Sequence, residues 1–316
     1  MAAPSGLFAR AMPWLFVPIW STGFIVARFG MPHAPPLTFL AMRFALSALC
    51  FAVWLGFSKA AWPRNRAQFF HLAIVGILMH AGYLGGVWAA VKQGIGAGTV
   101  ALLVGLQPVL TALWLSGLRA SNQSGEDGPA SKGLGALQWV GLTLGFGGLL
   151  LVVWRKLGVG ELNALNLGLA LFALISITAG SLYQKRFVVA CDVRTASVVQ
   201  LVAALVVCTP LAVLEAESAV WQPQLVAALA WSVLGLTLGG SSLLFLLLQQ
   251  GASTQVASLM FLVPPTTALM AWLIFNETLS GLMLLGMLLA VVGVACVMRP
   301  VLSTLPAAAA VSTTTL

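Results

Sequence analysis

Val100-Ala101-Leu102-Leu103-Val104-Gly105-Leu106-Gln107-Pro108-Val109-Leu110-Thr111 is an apolar stretch broken by one glycine, one glutamine and one proline. Four of its residues, Val100, Ala101, Pro108 and Thr111, recur 156 residues later as Val256, Ala257, Pro264 and Thr267. A second set follows: Gly141, Gly148 and Val152 recur 145 residues later as Gly286, Gly293 and Val297. The drop from 156 to 145 means eleven extra residues in the first half, which the polar loop after Arg119 supplies. Weaker matches set Gly23 opposite Gly180, Arg28 opposite Lys185 and Arg43 opposite Gln200. The chain reads as one unit written twice.

The surroundings of these motifs fix what the unit is. The 316 residues are 60% hydrophobic and 7% charged, against about 25% charged in a soluble domain. So few charges cannot cover a soluble surface. The length divides better by the ~20 residues a helix needs to cross a bilayer. Spanning stretches are expected at about 12–28, 36–57, 68–91, 97–118, 134–154, 164–185, 195–214, 223–249, 253–275 and 281–298. The expected fold is an all-α membrane protein of ten transmembrane helices. Five spans per half is an odd number, so the second copy must cross in the opposite direction. Two inverted five-helix repeats, 12–155 and 163–299, are thus expected, with a site near the midplane where they meet.

The net charge of +8 would point to nucleic acid in a soluble protein. Here the cations are strung between apolar segments, so nucleic acid is excluded as a partner and the bilayer takes its place. With the N-terminus in the cytoplasm, ten cations (Arg10, Lys59, Arg64, Arg66, Arg119, Lys132, Lys185, Arg186, Arg194, Arg299) fall on that side. Four (Arg28, Lys92, Arg155, Lys156) fall outside, with Glu161, Glu215, Glu217 and Glu277. That bias puts both termini in the cytoplasm. Arg10 precedes an apolar run as in a signal peptide, but Trp14, Pro18 and Trp20 make a poor signal core. The run is expected as the first span. Residues 119–132 are expected as a flexible polar loop and 300–316 as a disordered tail. Cys50, Cys191, Cys208 and Cys296 have no metal-ligand spacing and are expected as free thiols.

Several residues stand out at mid-depth. Pro108 and the Pro264-Pro265 pair remove helix hydrogen bonds at repeat-equivalent positions. They are expected as paired bends lining a cavity, with Gln107 beside the first; kinks needed only for packing are the plainer reading. Arg43 shares a helical stripe with Ser47, Cys50 and Trp54. It could attract a carboxylate, hold a partner helix or snorkel to the headgroups. His80 and Tyr83 share a face of the third span, with Trp88 further on and repeat equivalents near Gly239 and Ser242. Ser176, Gly180 and Tyr183 form a comparable stripe in the sixth. Such rings suit mixed-character solutes, though packing is their commoner role. Glu277 reads as a gating candidate or as a solvated loop acid.

The chain resembles the EamA-type permeases of the drug/metabolite transporter superfamily. The resemblance rests on Trp20-Ser21-Thr22-Gly23-Phe24, Arg43-Phe44, Pro108 with Pro264, Asn276-Glu277-Thr278-Leu279, and Gly286 with Gly293. It implies an inner-membrane exporter of amino acids or similar metabolites with cytoplasmic termini. The family often has a Glu after the fourth span also, where this chain has Leu118-Arg119-Ala120-Ser121. With the motif residues, the candidate cavity comprises Trp20, Ser21, Arg43, His80, Tyr83, Trp88, Gln107, Tyr183, Gln200 and Ser242. The expected mechanism is alternating access around a small-molecule substrate. A multidrug or cation efflux permease is the alternative. An intramembrane enzyme is disfavoured, because no Ser–His pair, paired acids or metal ligands fall at mid-depth. No phosphate loop, cofactor or metal is expected, and the sequence leaves self-association open.

Overall fold

The computed structural model describes residues 7–58, 60–63, 65–122, 136–158, 160–189, 191–243, 247 and 259–304. Lys59, Arg64, Lys132, Val256 and Ala257, and the tail beyond Thr304, lie outside the described residues.

The described residues are helical, without strands. The helices are α1 (Leu7–Gly30), α2 (Pro36–Gly56), α3 (Arg66–Lys92), α4 (Ala97–Val104), α5 (Gln107–Asn122) and α6 (Ala136–Gly158). They continue as α7 (Ala164–Phe187), α8 (Val193–Val213), α9 (Pro223–Leu243), α10 (Val263–Phe275) and α11 (Gly281–Thr304). Seven helical stretches, one of them α4 and α5 together, are long and apolar enough to cross a membrane. Shorter apolar helices run over Trp14–Gly30, Val263–Phe275 and Gly281–Val297. Trp114, Leu150, Trp154, Val206 and Leu288 are more than half exposed. A surface of this kind suits contact with lipid.

Two expectations need correction and one takes a more definite form. Pro108 and Pro264 each follow a short interruption of the helix. The chain breaks at Gly105-Leu106 and at Phe261-Leu262, and each proline lies in the first turn of the next helix. An N–H is surplus there, so a proline costs nothing. Arg119 to Asn122 continue α5 instead of opening the polar loop, since Arg and Ala are good helix formers and nothing stops the helix sooner. Likewise α11 runs past Pro300 to Thr304, into the stretch expected as tail.

Glycine sets how closely the two parts approach. A Cβ on Gly141 would lie 2.6 Å from the Gly293 carbonyl oxygen, and one on Gly286 would lie 2.6 Å from that of Gly148. These contacts pair rising with falling numbers, so α6 and α11 are antiparallel. Such close backbone approach is how membrane helices gain packing without a hydrophobic drive. The 145-residue offset carries one contact onto the other: Gly141 becomes Gly286 and Gly293 becomes Gly148. Elsewhere α2 packs on α8 and α4 on α10.

Candidate functional site

Four glutamates and one end of the bundle define a polar cap. Glu215 accepts from the Leu37 and Thr38 backbone N–H groups at 2.9 and 2.8 Å and from the Thr38 hydroxyl at 2.8 Å. It thereby caps α2, whose own N-cap residue is Pro35, with a carboxylate where the helix dipole favours one. Glu161 accepts from Gly96 N–H at 2.9 Å and from Thr99 at 3.0 Å, and pairs with the buried Lys156. Glu277 accepts from Ala97 N–H at 3.0 Å, while Arg28 Nε stands 3.6 Å from the same carboxylate oxygen. Glu217 pairs with Lys92 at 2.6 Å. We call this the acidic end.

Glu277 is therefore not a solvated loop acid. Its side chain is 8% exposed and its Oε2 is buried with no hydrogen-bond partner among the described residues. The cause is local: Asn276 takes a left-handed conformation, φ 54°, which Asn tolerates better than most residues. That turn carries the next side chain inward onto the start of α4.

Interrupted helices surround the centre. Residues Ile77–Gly82 of α3 and Trp231–Gly240 of α9 are π-helical, a distortion concentrated at functional sites. Beside them lies a cavity of about 170 Å³. Trp20, Arg43, His80, Tyr83 and Trp88 line it, together with Gly23, Phe24, Phe44, Met79, Ile177, Leu201, Leu236, Thr237 and Ser241 among others. Its wall is thus largely apolar with a few polar atoms, the usual character of a small-molecule site. Trp88 stacks on Phe39 at 4.4 Å between ring centroids. Phe39 is in the first turn of α2, so this pair lies between the cavity and the acidic end.

The remaining candidates are placed elsewhere. Ser21 is fully buried and donates to the Val263 carbonyl at 3.4 Å. Gln107 donates to Ser181 at 2.7 Å. Tyr183 meets His71 at 2.8 Å, near the opposite end of the bundle, with Phe187 against both rings. Gln200 stands beside His80 but is not in the cavity wall, and Ser241 occupies the wall where Ser242 was expected. Pro264 packs on Gly105 beside a second, far smaller cavity, and neither Pro108 nor Pro265 lines either.

Arg43 is the one Lys or Arg in the main cavity wall among the described residues. It is 8% exposed, and Nε and Nη2 each donate to the Thr237 hydroxyl oxygen at 3.3 Å. That hydroxyl in turn donates to the Ser232 carbonyl at 2.9 Å, so its lone pairs face the guanidinium. Thr237 is a residue the sequence reading missed, yet a signal existed. The offset of 157 that relates Arg43 to Gln200 also relates His80 to Thr237. Arg43 on Thr237 and Gln200 beside His80 are then one contact made twice. Gly23 near Leu236 and Gly180 near Met79 repeat the reciprocity at the same offset. The expected equivalents of His80 and Tyr83, Gly239 and Ser242, were two residues too far.

Outside the spans, Asp192 caps α8 through Arg194 N–H at 2.9 Å and pairs with the Arg194 guanidinium at 2.7 Å. Those bonds hold its carboxyl below the usual range. Burial raises the Cys191 thiol. No group of three metal-ligating side chains occurs among the described residues.

The model of the EamA-like transporter family matches residues 12–122 and again residues 165–299. The transporter YvbV of Bacillus subtilis (strain 168) is 22% identical over 296 residues, covering 88% of each chain. The inner membrane transporter YedA of Escherichia coli (strain K12) is 25% identical over 190 residues, 60% of this chain and 56% of that one. A crystal structure 17% identical in sequence superposes with a TM-score of 0.59, covering 94% of this chain and 99% of the other, which supports the fold alone. The double family match joins the apolar helices, and the chain belongs to the EamA-like transporter family as a multi-pass membrane transporter.

Proposed function

We propose that the protein exports small metabolites such as amino acids or related compounds by alternating access at the Arg43 cavity. Ten helices act as two inverted five-helix repeats, 12–155 and 163–299, that rock about this point. The observation that carries the reading is the cavity between two π-helical interruptions, one from each half. The reciprocal contacts at constant offset support the duplication. Antiparallel packing of α6 on α11 supports its inversion, because a two-fold axis along the helices would leave equivalent helices parallel.

In this reading the acidic end faces outward in the inner membrane and both termini are cytoplasmic. Glu161, Glu215 and Glu277, all from beyond α6, grip the first turns of α2 and α4. Opening to the outside requires some of those grips to release, which gives Glu277 a gating role. The breaks at Gly105 and Leu262, with Pro108, Pro264 and Pro265 behind them, supply points where helices can pivot.

The test is counterflow in proteoliposomes holding purified protein, with labelled amino acids, nucleosides and lipophilic cations compared in parallel. Saturable counterflow of an amino acid or a close relative, absent from protein-free vesicles, is the expected result. Counterflow of none of them by monodisperse protein, or of the cations alone, would overturn the reading.

A further inference from the structure

We infer that the solute held in the cavity is an organic monoanion: a carboxylate on a body about one aromatic ring in size, bound through the Arg43 guanidinium. This deepens the transport reading and rests on it for the word transport, though not for the binding.

A buried guanidinium has five N–H donors, and only a neutral hydroxyl receives any of Arg43's among the described residues. Thr237 orients the group without neutralising it. The described acids are all engaged elsewhere: Glu161, Glu215, Glu217 and Glu277 at the acidic end and Asp192 with Arg194. No carboxylate among the described residues lines the cavity. The equivalent position in the second half is Gln200, so the site carries one positive charge and its near-symmetry does not supply a second. A cation at mid-membrane is costly unless it is paired, and a planar guanidinium is matched in shape by a carboxylate.

Size and lining define the rest of the solute. An apolar protein cavity of about 150 Å³ takes up benzene, so about 170 Å³ admits a single ring with a short acidic arm. Trp20 and Tyr83, half-buried in the cavity wall, offer faces and edges for that ring. Among the described residues the wall has no acid to pair with an ammonium group. A zwitterion should therefore bind more weakly than the plain acid of the same skeleton, and a cation more weakly again.

The experiment is binding to purified protein in nanodiscs at pH 7, read by quenching of the cavity tryptophans and by calorimetry. The probes share one skeleton: 3-phenylpropionate, its neutral amide, 3-phenylpropylamine and phenylalanine. The acid should bind at least roughly tenfold more tightly than the amide, as a hydrogen bond to a charged group warrants, with the amine weakest. Arg43→Gln should erase the preference of acid over amide and Arg43→Lys should restore part of it. Equal binding of acid and amide, tighter binding of the amine or of phenylalanine, or no binding of the acid would overturn the proposal. Those wild-type comparisons hold even if Arg43→Gln fails to fold. Acid binding with counterflow of neither the acid nor any amino acid would sink the transport reading alone. Counterflow of phenylalanine with no preference for the acid would sink this inference alone.

Discussion

Replacing Gly148 and Gly286 by alanine, singly and together, probes how α6 and α11 are held. A Cβ on Gly286 would lie 2.6 Å from the Gly148 carbonyl oxygen, whereas ordinary contact begins at 3.4 Å. The backbones must therefore part by about 0.8 Å. A gap of that size forfeits roughly a quarter to a half of each dispersion contact it opens, and overpacking of this kind costs about 1–3 kcal/mol. A Cβ on Gly148 meets the Gly286 carbonyl oxygen more closely still, so its alanine should cost at least as much. One separation relieves both clashes. The double variant should then cost less than the sum of the singles, by about 0.5 kcal/mol or more. Gly147, one residue along, has nothing within 4 Å of such a Cβ, so its alanine should be neutral or gain up to about 1 kcal/mol of helix propensity. The assay is reversible unfolding in mixed micelles, followed by tryptophan fluorescence. Loss below about 0.5 kcal/mol in both single variants, or a larger loss for Gly147→Ala, would refute the reasoning.

Glu215→Ala removes three hydrogen bonds from the start of α2 and should cost about 1–3 kcal/mol, while Glu215→Gln keeps an acceptor and should recover part of it in the same assay. Gly105→Val sets a branched side chain where even a Cβ would be 2.8 Å from Pro264, and counterflow should slow at least tenfold while the protein stays monodisperse. Asp192 is held below its unfolded value of about 3.9, so the stability it contributes is complete above that pH and fades as pH falls through and below it. Asp192→Asn should remove that acid-side slope and leave the neutral-pH slope unchanged, as measured by thermal unfolding from roughly one unit below the ordinary carboxylate values up to about neutral pH.

Much of the architecture was legible because membrane helices advertise themselves by length and apolarity. Gly141, Gly148, Gly286 and Gly293 were legible as contacts for the same reason: within an apolar span a glycine has little use except close approach. The prolines were half legible, since a sequence shows where a hydrogen bond is missing but not whether the helix bends there or restarts. The cavity was half legible. Arg43, His80, Tyr83 and Trp88 stand out as polar or aromatic groups at mid-depth, but Thr237 looks like any membrane threonine. A π-helical turn shifts which residues share a face, so stripes drawn at the ordinary helical period drift by a residue or two across Trp231–Gly240. Ser242 was placed by a repeat offset two residues too long, so it missed the wall that Ser241 occupies. Tyr183 and Gln107 failed differently: each satisfies its polar atom with a near neighbour, His71 and Ser181, which no single-helix pattern can reveal. Glu277 looked solvated because a loop acid usually is, and only the left-handed Asn276 turns it inward.

The central claim is that one cavity serves both faces of the membrane in turn. Ser241→Cys, in protein whose four native cysteines are replaced, places a thiol in that wall. Oriented vesicles treated with a membrane-impermeant maleimide should show labelling from either face, slowed from both by 3-phenylpropionate. Labelling confined to one face under every condition would contradict the account.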